Sequence, residues 1–167
     1  MADDYEDVSV FTLSDEREQT LLDKQTECCF MWTTSAGEPV GVIMNYVVRD
    51  GSFWLTATRR RKRIAAIERD PRVALAVSSR GIDIGIGQAI TYKGSAVLHD
   101  DDDTKAWFYP ALAAKVRPDS AEQQAAFVAH LDSPGRVVIE VKPGARIGFD
   151  SDSMFRGSAA GPTKTQI

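Results

Sequence analysis

"LTATRRRKRIAAIERDPRV", residues 55–73, changes its period partway along. Leu55 to Thr58 ends a β-favouring run, "SFWLTAT". Ile64 and Ile67 then lie three apart, with Ala65 and Ala66 between them and Glu68 and Arg69 after them, which is helical spacing. Asp70 precedes Pro71, where a helix stops. The spacing predicts a strand ending at Thr56-Ala57-Thr58, a turn through Arg59 and Arg60, and a helix starting at about Arg61. Strand-turn-helix gathers backbone N–H groups and the positive end of a helix dipole at one point. Five consecutive cations, Arg59 to Arg63, stand at that point in a chain of net charge −4. Such a run is either a solvated face, partly neutralised by Glu68 and Asp70, or an anion site. Thr56 and Thr58 add hydroxyl donors, and Arg60 and Lys62 lie close enough to converge on one group. Arginine binds phosphate in a bidentate way and lysine supplies a compact charge, so the assembly suits a phosphate monoester or diester.

Working outward, Ser14 is an N-cap, with Asp15 and Glu16 at the head of a short helix to about Lys24. "ECCFMWTTS" and "PVGVIMNYVVR" are strands joined by a "GEP" turn, and Asp50-Gly51 is a hairpin signal leading into "SFWLTAT". These three runs read as a meander. "RVALAVSS", "AITYKGSAVLH" and "RVVIEVKP" are further strands, with "ARIGFD" a short closing one. "DDDDTKAWFYPALAAKV" reads as a helix with an acidic N-terminus, and Ser120 with Gln123 resembles a capping box for another. Strands dominate, with helices inserted. An all-β barrel or α+β architecture fits, and a parallel doubly wound sheet does not. The glycine-rich "RGIDIGIGQ" follows no βαβ pattern and lacks the third glycine of a dinucleotide fingerprint.

The 167 residues suit one domain over residues 10–156, between a loose segment 1–9 and a tail 157–167. A pI near 5.2 argues against a general nucleic-acid binder. No apolar run reaches the roughly 18–20 residues of a membrane span, and the acidic start is unlike a secretory signal, so a cytoplasmic protein is expected. Cys28 and Cys29 are adjacent and cannot pair with each other, which makes them packing residues of a reducing compartment. Asp100 to Asp103 diverge along an extended chain, and His99 and His130 have no partners at ligand spacing, so no metal site is expected. Trp32, Trp54 and Trp107 belong to a core or an interface.

Taken in order, Gly37-Glu38-Pro39, Asp50-Gly51, Phe53, Leu55, Thr56, Lys62, Ile67, Asp70-Pro71-Arg72-Val73 and Lys93-Gly94-Ser95-Ala96 carry a resemblance. The chain resembles the pyridoxamine-phosphate-oxidase-like split β-barrels, the flavin/deazaflavin oxidoreductases, in their B-type branch. The likeness covers residues 28–98 and returns at "RVVIEVKPGARIGFD". It implies a mainly β (α+β) split β-barrel of about six antiparallel strands in Greek-key arrangement with inserted helices. It also implies a homodimer with cofactors bound between subunits. The cofactor-contacting strand matches Ile43, Met44 and Asn45, and the turn matches Leu55 and Thr56 with the strand end Ala57 and Thr58. The phosphate clamp matches Arg60, Arg61 and Lys62. Gln88 stands about one residue early for the family's glutamine before the "G-x-A" strand.

The oxidase branch usually has lysine where this chain has Asn45 and serine where it has Arg60. An Arg-x-Lys clamp is similar to the deazaflavin branch, which binds coenzyme F420. Arg59 and Arg63 could meet that cofactor's phosphodiester and oligoglutamate tail. The resemblance therefore implies an F420-dependent oxidoreductase that moves a hydride between cofactor and a small unsaturated or conjugated substrate. The alternatives are an FMN-binding oxidoreductase, or a non-catalytic carrier or sensor of flavin or haem. Tyr46, Tyr92 and Lys93 are proton-donor candidates by type alone, and the catalytic residues are otherwise unknown.

Overall fold

The computed structural model describes residues 7–85 and 87–156. Of the loose segment expected over 1–9, residues 1–6 lie outside that range, and Val8–Val10 form a 3-10 turn. The tail expected over 157–167 lies outside it entirely. Helix α1 (Asp15–Lys24) begins where the Ser14 hydroxyl accepts the Arg17 N–H. The strands β1 (Glu27–Thr33), β2 (Pro39–Asn45), β3 (Val47–Arg49) and β4 (Ser52–Thr58) follow. The basic stretch folds as its spacing implies. Strand β4 stops at Thr58, α2 (Lys62–Arg69) starts after Arg61, and β5 (Arg72–Ser78) follows Pro71. The chain continues through β6 (Gln88–His99), α3 (Asp102–Val116), α4 (Ala121–Leu131), β7 (Arg136–Asp150) and α5 (Ser151–Met154).

All seven strands join one antiparallel sheet in the order β2-β1-β5-β6-β7-β4-β3. The sheet corrects the expected meander. "PVGVIMNYVVR" is two strands, β2 pairing with β1 and β3 with β4, at opposite edges. Only Tyr46 lies between them. One residue spans at most about 3.6 Å, so the sheet curls until its edges meet, forming the split barrel. Tyr46 is fully buried at this junction, its N–H donating to Thr26 O at 3.3 Å and its hydroxyl to Leu22 O at 3.0 Å. Tyrosine favours strands, so nothing in the local pattern marks the break.

A second correction is to which strands make up the seven, expected as six and a short closing one. "RVVIEVKP" and "ARIGFD" are one continuous β7, which bulges opposite β6 between Tyr92 and Gly94. The extra residue is on β7 next to Pro143, where a missing N–H costs no ladder bond.

Alternate residues of β4 serve two cores. Phe53, Leu55 and Ala57 face the barrel interior with Phe30, Leu75, Ile90 and Ile139. Trp54 faces outward against α3 and α4, whose Phe108, Leu112 and Leu131 cover Val47 and Val138. Thr56 and Thr58 therefore lie on the outer face of β4, at the end where the helical hairpin α3–α4 passes. Helix α1 is held on the barrel by Arg17, which binds Asp150 at 2.9 Å and Asp152 at 2.8 Å. Among the described residues no helix is long and apolar enough to cross a membrane, and no cluster could hold a metal ion.

Candidate functional site

Where the outer face of β4 runs out, several elements converge on a cleft of about 380 Å³. Met44 and Asn45 come from the end of β2, and Thr56, Ala57 and Thr58 from the end of β4. Arg61 and Arg63 come from the head of α2. Leu112 of α3 and Phe127, His130 and Leu131 of α4 add a mostly apolar side, and Arg136 enters from the first position of β7. Thr58 and Arg136 are register partners, so their side chains share one face of the sheet. The Arg59 N–H donates to Gly135 O at 2.8 Å, which fastens the basic turn to the turn before β7.

The five cations of the basic run meet different fates. Arg59 is neutralised: it pairs with Asp100 and reaches Glu68 at 3.8 Å. Among the described residues no ion pair reaches Arg60, Arg61, Lys62, Arg63 or Arg136, and no carboxylate lines the cleft. The Arg63 guanidinium lies 5.7 Å from the Trp32 ring centroid. Burial, with Arg61 alongside, holds the Arg63 pKa below the usual arginine value. The Nε atoms of Arg63 and Arg136 are buried without a hydrogen-bond partner among the described residues. Helix α2 also opens without a side-chain cap, whereas Ser14, Asp101 and Ser120 cap α1, α3 and α4. The Ile64 N–H donates to Arg61 O at 2.9 Å, and among the described residues those of Lys62 and Arg63 are left for a ligand or solvent. An oxyanion is the chemistry that would satisfy all of these donors.

Of the residues singled out from sequence, Met44, Asn45, Thr56, Ala57, Thr58 and Arg61 line this one cleft. Arg60 and Lys62 are exposed beside it without lining it. Leu55 is fully buried in the barrel, so it supports the site from behind. Ile43 is 64% exposed and lies on the opposite face of β2 from Met44. Gln88 does not line the cleft: it is buried, and its amide donates to Ile84 O at 2.8 Å, closing the glycine-rich loop. The Thr56 hydroxyl is committed too, donating to Val137 O at 2.7 Å, so among the described residues Thr58 is the free one of the two expected donors. The Asn45 amide donates to Thr26 O at 3.1 Å.

The three proton-donor candidates lie outside the lining as well. The Tyr92 hydroxyl donates to Glu18, Tyr46 sits in the core, and burial pushes both phenols up. Lys93 is exposed on β6 opposite the bulge of β7. Trp54 and Trp107 pack edge-on at 4.9 Å under α3, and Trp32 stacks on Phe30 at 5.9 Å. His130 and Arg136 went unrecognised as site residues from sequence. A register argument pairing "RVVIEV" with "SFWLTAT" would have found Arg136 opposite Thr58.

A family model for pyridoxamine 5'-phosphate oxidase matches residues 14–147. The chain belongs to that family. The pyridoxamine 5'-phosphate oxidase family includes oxidoreductases of flavin type, and this member has its split-barrel fold. Solved structures with a similar fold include the conserved hypothetical protein Rv2991 from Mycobacterium tuberculosis. It gives a TM-score of 0.77 at 14% identity, over 93% of this chain and 95% of that one. A protein described as F420 reductase gives 0.59 at 21% identity, over 77% and 94%. An FAD-binding protein, mll6688 from Mesorhizobium loti, gives 0.57 at 17% identity, over 82% and 94%. At these identities the likeness is one of fold. No curated protein matches the chain in sequence.

Proposed function

We propose that the protein is a cytoplasmic F420-dependent oxidoreductase. It exchanges a hydride between that deazaflavin and a small unsaturated or conjugated organic substrate. One observation carries this: the cleft at the end of β4 is lined by cations that no carboxylate of the described residues neutralises. The orphaned Nε atoms of Arg63 and Arg136 fit a ligand that carries phosphate. Arg60, Arg61, Lys62, Arg63 and Arg136 together exceed the two charges of a phosphate monoester, which favours a cofactor with further carboxylates. Asn45 and Arg60, where the oxidase branch has lysine and serine, favour it too. The shared fold with an F420 reductase is in keeping with it.

When bound, the cofactor would supply the hydride chemistry. The chain's part is to hold and shield. Arg61 and the uncapped head of α2 would bind the phosphate, with Thr58 offering its hydroxyl. Met44, Leu112, Phe127 and Leu131 would exclude water from the bound group. FMN is the second reading, favoured by the family match to pyridoxamine 5'-phosphate oxidase. Titrating the purified protein with F420 and with FMN, followed by tryptophan quenching, separates the two. Tighter F420 binding, with oxidation of reduced F420 by an added acceptor, is expected. Preference for FMN would move the protein to the flavin branch, and binding of neither would end the cofactor assignment.

A further inference from the structure

Arg136 is remote in sequence from the basic run, yet its side chain lines the same cleft as Arg61 and Arg63. It opens β7 directly opposite Thr58. Its Nε is buried and unpartnered, like that of Arg63, and among the described residues no carboxylate pairs with either. A guanidinium Nε shut away from water costs stability unless something accepts its hydrogen bond. Two such Nε groups, on otherwise half-buried side chains of α2 and β7, line one cleft, where a bound oxyanion would accept from both.

We propose that Arg136 is a second oxyanion-binding element of the cleft, gripping the ligand's phosphate from the β7 side. The first element is the head of α2, which carries Arg61 and Arg63. This rests on the cofactor assignment above, and it adds a residue that the family's motif does not contain. The Arg59 N–H bond to Gly135 O joins the two turns that carry these elements. The spacing of the two halves of the grip is therefore fixed by the backbone rather than by side-chain reach.

FMN and riboflavin share one ring system and differ by the phosphate, so their affinity ratio isolates the contact. Arg136→Gln and Arg63→Gln are each expected to weaken FMN binding by about tenfold to a hundredfold, as loss of a charge-assisted contact does, and to leave riboflavin binding unchanged. Arg136→Lys should recover part of the loss. Unchanged FMN affinity in Arg136→Gln would overturn the proposal, as would an equal loss for FMN and riboflavin, which marks a packing defect. Inorganic phosphate separates the proposal from the cofactor assignment. If the wild type binds no FMN or F420 but phosphate raises its melting temperature, and Arg136→Gln abolishes that rise, the oxyanion site stands and the assignment fails. If neither phosphate nor any of these cofactors binds the wild type, the proposal fails as well.

Discussion

Gly94 shows how one residue fixes a strand pair. It sits where β6 meets the bulge of β7, and a Cβ there would come within 2.7 Å of Lys142 O. The obstacle is backbone, so it cannot swing aside. Gly94→Ala should cost about 1–3 kcal/mol, read from urea unfolding, because β6 and β7 must part to make room. An unchanged midpoint would show that the bulge yields freely. The same scale explains what the basic run is for. Arg59 is a structural cation, spent on Asp100 and Glu68, while Arg61 and Arg63 turn into the cleft. Five adjacent cations thus divide between one that ties down the fold and others that turn into the cleft or stay exposed beside it, a division that charge counting alone does not reveal.

Among the elements, α3 docks on the barrel through an unusual contact. Lys115 Nζ donates to Leu22 O at 2.8 Å and lies 3.9 Å from the Tyr46 ring centroid. Burial pulls this ammonium down to about 8, against partial support from Asp23. In the unfolded chain a lysine titrates near 10.4, so between about pH 8 and 10.4 the unfolded state holds a proton the folded state has released. Stability from this group therefore rises with pH across that window. Lys115→Met removes the effect, and Tyr46 still donates to Leu22 O. The variant should be at least as stable as wild type at pH 7. Wild type should then gain on it by on the order of 1–2 kcal/mol towards pH 10, after allowing for solvent screening. Urea melts at both pH values measure this, and a constant difference would contradict a lowered Lys115.

For the whole molecule, elements built from neighbouring residues were legible and those built from distant pairing were not. The strand-turn-helix of residues 55–73, the Ser14 and Ser120 caps and the Asp50-Gly51 hairpin rest on local chemistry, and they stand in the structure. The break at Tyr46 and the continuity of β7 depend on which strands meet, which a run of β-favouring residues does not encode. The same holds for the cleft. Its β2, β4 and α2 residues follow from motif positions, but Arg136 and His130 arrive through the register of β7 on β4 and the folding back of α4. Ile43 is exposed on the edge strand β2, and the homodimer that the family resemblance implies would cover it. Light scattering at micromolar concentration should give a dimer, and Ile43→Glu should shift it towards monomer. A monomeric wild type would remove the shared-site arrangement.

The central claim is that the cleft at the end of β4 holds the phosphate of the cofactor, and Arg61 is the motif cation that lines it. The most direct measurement is a fluorescence titration of F420 into wild type and Arg61→Ala, with melting temperatures taken in parallel. The account predicts an affinity loss of about tenfold or more with little change in melting, because Arg61 is exposed and makes no ion pair among the described residues. Equal affinities for the two proteins would contradict it.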